Sequence, residues 1–275
     1  MDPDQVKRAI AGVFDRASAD YDRTGVEFFG VVGRTLVERA GLHPGERVLE
    51  LGSGRGAATF PAAERVGADG HVLALDLAEG MVARLRADVE RAGLGQVRCE
   101  VGDAEAPDVG PGEWDVVLAS LVLFFLPDHQ GAMRRYRDLL RPGGRLALSW
   151  FAEEDLRWEP IFEELVAELP PESRGPRRPG QGGPFENPGA MDAFLRDAGY
   201  DPVTELRPLT VRYADDETWW ATLWSHGRRA TMEKLEAAGV LSSTMARMSR
   251  HLDAVRAEDG ALEWTAGMAY TVAAR

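Results

Sequence analysis

The stretch Val48–Phe60, "VLELGSGRGAATF", sets glycine at every second position, Gly52, Gly54 and Gly56, behind an apolar run that carries Glu50. A strand turning into a helix through such glycines brings its backbone against a ligand, because glycine alone offers both left-handed backbone and close approach. Two more acids follow at matching places. Asp76 closes the next apolar run, "HVLALD", where a carboxylate accepts hydrogen bonds from both hydroxyls of a ribose, and Asp103 in "VGDAEAP" follows the third run, within reach of an adenine amino group. Ala57 stands where a dinucleotide fingerprint has its third glycine. Glu50, Asp76 and Asp103 together would repel a pyrophosphate and suit a cationic cofactor without phosphate.

Chemistry of this kind needs a sheet edge to stand on. "RVLEL", "HVLALD", "VRCEV", "WDVVLAS" and "GRLALSWF" read as strands, nearly continuous in apolar character, as strands covered on both faces should be. Helical spacing fills the intervals and ends each time at Gly or Pro-Gly. The expectation is an α/β fold: a doubly wound, Rossmann-like seven-stranded sheet, completed by "PVTELRPLTVRY" and "LEWTAGMAYTVAAR". Its expected divisions are an N-terminal helical lid (1–41), a cofactor-binding core (42–151), a cap inserted after strand five (152–200), and final strands with a helical cap (201–275, the cap at 216–257). Within the insertion, 169–189 is dense in Pro, Gly and Arg and reads as a mobile loop.

A net charge of −13 argues against nucleic acid as a partner. The single cysteine, Cys99, permits neither an intrachain disulfide nor a thiolate cluster and reads as a buried strand residue. The N-terminus lacks a signal-like apolar stretch and no segment has the length of a membrane span, so a soluble, cytoplasmic protein is expected, as a monomer or homodimer.

Five motifs in order, "VLELGSGRG", "LALDLAEGMV", "VGDAEAP", "WDVVLASLVLFFLPD" and "LLRPGGRLALSW", resemble those of class I S-adenosylmethionine-dependent methyltransferases, over about residues 45–150. The resemblance implies S-adenosyl-L-methionine as cofactor and S-adenosyl-L-homocysteine as product. It implies that Gly52, Gly54 and Gly56 admit the cofactor, with Glu50 beside them, that Asp76 takes the ribose, that Leu77 and Met81 pack on adenine, that Asp103 and Ala104 read its edge, and that Ser120 lies beside the methionyl amino group.

The acceptor must be read from the flanks, since alignment and desolvation are the protein's main tasks in methyl transfer. "LASLVLFFLPD" lacks the D/N-P-P-Y/W of amino methyltransferases acting on nucleic acids. Glu153, Glu154 and Asp155 are consecutive and point in different directions, so no metal is expected. His129 reads as the first turn of a helix. The other signal is aromatic: Phe14 and Phe29 on the N-terminal helices, Phe125 after strand four, Trp150 on strand five, and Trp220 with Trp224 one helical turn apart. These are the expected walls of a cavity for an apolar, aromatic small molecule, and the composition resembles that of natural-product enzymes. Tyr21 matches a tyrosine that related enzymes place over the cofactor, and His226 is the general-base candidate by residue type, although a helix-capping role fits it equally. Two other readings are a nicotinamide-dependent reductase and a catalytically inactive S-adenosylmethionine-binding protein.

Overall fold

The computed structural model describes residues 2–171 and 182–275; of the Pro/Gly-rich segment, 172–181 lie outside the described residues. The strands form one seven-stranded sheet in the order β3-β2-β1-β4-β5-β7-β6. β1 (Arg47–Leu51) lies between β2 (His71–Asp76) and β4 (Trp114–Ser120), with β3 (Val97–Val101) outermost on that side. These four run parallel, as does β5 (Leu140–Glu153) against β4. β7 (Leu262–Ala274) runs antiparallel to both β5 and β6 (Asp201–Tyr213). The chain order reverses between β1 and β4, which opens a crevice at the carboxyl edge, where doubly wound sheets hold ligands.

The crossover helices cover both faces. α2 (Phe29–Ala40), α3 (Thr59–Val66) and α4 (Glu79–Arg91) bury Leu36, Val37, Ala62, Ala63, Val82 and Leu85 on one face. On the other, α5 (His129–Leu139) and α7 (Pro188–Asp197) bury Met133, Tyr136, Met191 and Leu195. Before them, α1 (Pro3–Ala17) starts on an Asp2 side-chain cap with Pro3 in its first turn and buries only Ala17. α6 (Glu159–Ala167), α8 (Asp216–Ser225), α9 (Arg229–Ala237) and α10 (Leu241–Ser249) pack with the far ends of β6 and β7 around Trp158, Ile161, Trp219 and Met232.

Two sequence expectations change here. Alternation along β5 sends Trp150 to the α5/α7 face, where it is wholly buried, its Nε1 donating to Thr271 Oγ1 at 3.2 Å, so it lines no ligand cavity. On α8 the buried face belongs to Trp219 and Leu223; Trp220 and Trp224 are half-buried against the cluster around Trp158 and Trp219.

Candidate active site

All three glycines after β1 have positive φ, 68° at Gly52, 53° at Gly54 and 87° at Gly56, and at Gly52 and Gly56 a side chain would also collide with its neighbours. A Cβ on Gly52 would lie 2.5 Å from Val122 Cγ2, so the turn can pass under the β4 loop only without a side chain. At Gly54 a Cβ would point at the Tyr21 ring, 3.7 Å away. At Gly56 it would strike Leu85 Cδ1 at 2.6 Å and Phe60 at 2.8 Å; that glycine serves packing between α3 and α4 and does not face the cavity.

The acids converge as the sheet topology demands. Asp76 Oδ2 accepts the Gly54 N–H at 2.8 Å and Oδ1 accepts that of Ala78 at 2.9 Å, binding the end of β2 to the glycine turn and to the start of α4. Burial raises its pKa, opposed by those amides. Glu50, buried in β1, accepts the Thr59 hydroxyl at 2.5 Å, and desolvation, with a smaller push from Asp76, raises its pKa to about 8. Asp103 accepts Lys7 Nζ from α1 at 2.7 Å, and Lys7 also reaches Glu105 at 2.7 Å.

One cavity joins these groups. Glu50, Gly52, Gly54, Asp76, Leu77, Met81, Asp103, Ala104 and Ser120 line its floor, and Phe14, Tyr21, Phe29 and Phe125 line the opposite side. Tyr21 stacks on Phe29 at 4.7 Å, while Phe14 meets Tyr21 edge-on at 6.1 Å and Phe125 at 5.5 Å, so the wall is a set of interlocked rings. Burial, then Asp22 and Asp76, raises the Tyr21 pKa well above its ordinary value, leaving a neutral phenol. Ser120 shares a hydrogen bond with Ser149 (3.0 Å), and Leu121 after it is left-handed, with φ of 53°.

Among the residues proposed from sequence, Gly56, Trp150, Trp220, Trp224 and His226 do not line this cavity. His226 ends α8, its Nδ1 accepts the Arg228 N–H at 3.2 Å, and its ring stands behind Phe29 with centroids 6.4 Å apart. Desolvation, with a push from Arg228, lowers its pKa to about 3, so it is a neutral cap and a poor base. Conversely Lys7, Asp22, Ser53, Arg55, Leu121 and Val122 line the cavity unannounced. Ser53 and Arg55 stood inside the glycine motif; nothing in the sequence pairs Lys7 with acids about a hundred positions away.

Fold and site together define an α/β protein for an adenosine-type cofactor, and the donor set fits a cation better than a diphosphate: carboxylates on the floor, and a buried Ser53 Oγ with no hydrogen-bond partner among the described residues. Residues 48–144 match the family described as "Methyltransferase domain". Nocamycin O-methyltransferase of Saccharothrix syringae is 39% identical over 236 residues, covering 82% of this chain and 84% of that protein. Aklanonic acid methyltransferase of Streptomyces sp. (strain C5) is 44% identical over 149 residues, 54% of this chain and 68% of that one. Among solved structures, the YcgJ protein of Bacillus subtilis shares the fold with a TM-score of 0.62 at 15% identity, over 89% of this chain and 98% of that one. The chain belongs to the class I S-adenosylmethionine-dependent methyltransferases of the natural-product branch, and its cofactor is S-adenosyl-L-methionine.

Proposed function

We propose that the enzyme methylates an oxygen of an apolar, aromatic natural product, and that the cavity described above is where it does so. The observation that carries this reading is the juxtaposition, in one cavity, of an acid-lined glycine turn and a wall of four aromatic rings. Support for oxygen as the acceptor atom comes from a relative named as an O-methyltransferase.

Bound S-adenosylmethionine supplies an electrophilic methyl group on a sulfonium. Asp76 would hold the ribose hydroxyls, Asp103 and Ala104 the adenine edge, with Leu77 and Met81 against its faces, and Glu50 and Ser120 the amino-acid end. Phe14, Tyr21, Phe29 and Phe125 would exclude water and hold an aromatic acceptor in line with the donor, which accounts for much of the barrier in a displacement of this kind. The neutral Tyr21 hydroxyl is suited to donate a hydrogen bond and not to remove a proton. His226, outside the cavity lining, is not placed to take the proton of the acceptor oxygen, whereas Asp22 lines the cavity with a carboxyl that burial raises to about 6.

α1 would act as a lid. It closes the cavity through Lys7 and is tied down by polar contacts, Asp15 Oδ1 to the Gly80 N–H at 2.7 Å and Arg16 to Glu233 on α9 at 2.7 Å. No metal takes part in this account: Asp155 caps a short 3-10 turn, pairs with Arg157 at 2.5 Å and accepts the Thr265 N–H, commitments that leave it unsuited to a metal. Among the described residues no helix is long and apolar enough to cross a membrane, which suits a cytoplasmic enzyme.

The test is transfer of label from methyl-tritiated S-adenosylmethionine to a panel of hydroxylated polycyclic aromatics, with product identified by mass. Label on an acceptor oxygen is expected. Label on none of the panel, with tight S-adenosylhomocysteine binding, would favour a protein that binds the cofactor without catalysis.

A further inference from the structure

Asp22 follows Tyr21 in the turn after α1, and both residues line the cavity. Its backbone is left-handed, with φ of 57°. Among the described residues two that are not glycine have positive φ, Asp22 and Leu121, and both line this cavity. Left-handed backbone away from glycine is uncommon and gathers at binding and catalytic sites, where surrounding contacts hold it in place. Here the turn is held from two sides. Arg55 Nη1, from the glycine turn, donates to the Ser18 carbonyl at 2.8 Å, and the hydroxyls of Thr24 and Thr222 on α8 share a hydrogen bond of 3.1 Å.

The Asp22 carboxylate is spare. It makes no hydrogen bond or ion pair with any described residue. The other acids of the cavity are committed: Asp76 to the Gly54 and Ala78 amides, Glu50 to the Thr59 hydroxyl, Asp103 to Lys7. The charged groups that face Asp22 are Arg34 of α2, Glu27 and Arg55, and the remaining charges of the cavity lining are Lys7, Glu50, Asp76 and Asp103. Asp22 is both exposed and cavity-lining, which puts it at the rim. Partial desolvation raises its carboxyl to about 6, with Arg34 and Arg55 opposing the rise and Glu27 adding to it. Such a group is ionised at neutral pH and is a stronger base than an ordinary aspartate, and at the rim it can pass a proton on to water.

We propose that Asp22 is the general base of the reaction and takes the proton of a hydroxyl acceptor held against the aromatic wall. The inference rests on the oxygen-methylation reading. As the hydroxyl oxygen forms its bond to the methyl carbon, the carbon–sulfur bond breaks with its electron pair passing to sulfur, and the sulfonium becomes the neutral thioether of S-adenosylhomocysteine. The O–H proton goes to an Asp22 carboxylate oxygen and from there to solvent. Tyr21, next in the chain and neutral, keeps its phenol proton throughout.

The test is label transfer from saturating methyl-tritiated S-adenosylmethionine by the full-length protein to two kinds of acceptor: 1- and 2-naphthol, which keep their proton at neutral pH, and 1- and 2-naphthoate, which have none to lose. Asparagine accepts left-handed backbone as aspartate does, so Asp22→Asn should fold and bind S-adenosylhomocysteine as the wild type does. It should lower kcat for a naphthol by about 10² or more, the usual range for loss of a general base, and lower transfer to a naphthoate far less. Asp22→Glu should keep part of the naphthol activity. In the wild type kcat for the naphthol should fall as pH drops below about 6, where the carboxylate takes up its proton, and Asp22→Asn should lack that limb. Four results would overturn the base: naphthol turnover in Asp22→Asn within about tenfold of wild type, an equal loss for naphthol and naphthoate, loss of S-adenosylhomocysteine binding in Asp22→Asn, or wild-type transfer to naphthoates alone. Transfer to none of the four by a wild type that binds S-adenosylhomocysteine would instead overturn the oxygen-methylation reading.

Discussion

The Asp76 carboxylate accepts the amide of Gly54 at 2.8 Å, so the acid that ends β2 fixes the middle of the turn that follows β1. The same carboxylate accepts the Ala78 amide through its other oxygen at 2.9 Å, and it lines the cavity. One residue thus shapes the cradle and is positioned to hold what lies in it.

Glu50 makes cofactor affinity depend on pH. Its carboxyl, with a pKa raised to about 8, keeps its proton at neutrality in the free protein, and a cationic cofactor beside it favours the ionised form. Binding should then release a proton below pH 8, and affinity for S-adenosylmethionine should rise with pH by up to about tenfold per unit between about 6 and 8. Calorimetry in buffers of different ionisation enthalpy measures the proton. Glu50→Gln should remove both effects, and proton release that persists in that variant would assign it to another group.

Glu50 and His226 also set opposing trends in stability. An acid whose folded pKa is raised binds more protons in the native state, so between about 4.5 and 8 the Glu50 contribution is lost as pH rises. His226, depressed to about 3, is protonated only after unfolding, so between about 6.5 and 3 its contribution is lost as pH falls. Urea midpoints taken across this range should flatten above pH 5 in Glu50→Gln, and His226→Ala should lose part of the acid-side slope.

Tyr21 and His226 separate in turnover. Tyr21→Phe should cost about 2- to 10-fold, the value of one neutral hydrogen bond, while Tyr21→Ala, which also opens the ring wall, should cost more. His226→Ala should change turnover by less than about threefold and leave the pH profile in place, since no proton transfer depends on it. A loss of roughly 10² or more in either Tyr21→Phe or His226→Ala would identify that residue as a general base.

Gly56→Ala should destabilise the core without touching the ligand. The new methyl would meet Leu85 and Phe60 at a left-handed position, an overpacking that costs about 1 to 3 kcal/mol. A lower urea midpoint with nearly unchanged cofactor affinity in the folded protein is the expected result.

Removing residues 1–22 tests α1. The segment contributes little buried apolar surface to the core, Ala17 being the buried residue of the helix, and holds on through ion pairs. The truncated protein should fold, as judged by circular dichroism, and should lack turnover. Full turnover in it would reduce α1 to packing.

The sheet and the glycine turn were legible because their physics is local. Strands buried on both faces read as unbroken apolar runs, and a glycine turn followed by acids at successive strand ends can be seen in one dimension. α6 was not legible, since nine residues give too few turns for a periodic signal. Sequence spacing shows that Trp220 and Trp224 share a face but not that the helix buries the one bearing Trp219, and alternation along β5 separates Trp150 from Phe151 without saying which sheet face meets the ligand. Lys7 was invisible because what matters about it is a pair of partners, Asp103 and Glu105, contributed by a distant segment.

Calorimetric titration with S-adenosylhomocysteine tests most directly whether this cavity holds S-adenosylmethionine through Asp76. The wild type should bind one equivalent per chain, Asp76→Ala should bind about 10- to 100-fold more weakly through loss of a charged acceptor for the ribose hydroxyls, and NADH should not bind. Unchanged affinity in Asp76→Ala would remove that residue from the site, and binding of NADH in place of S-adenosylhomocysteine would contradict the account.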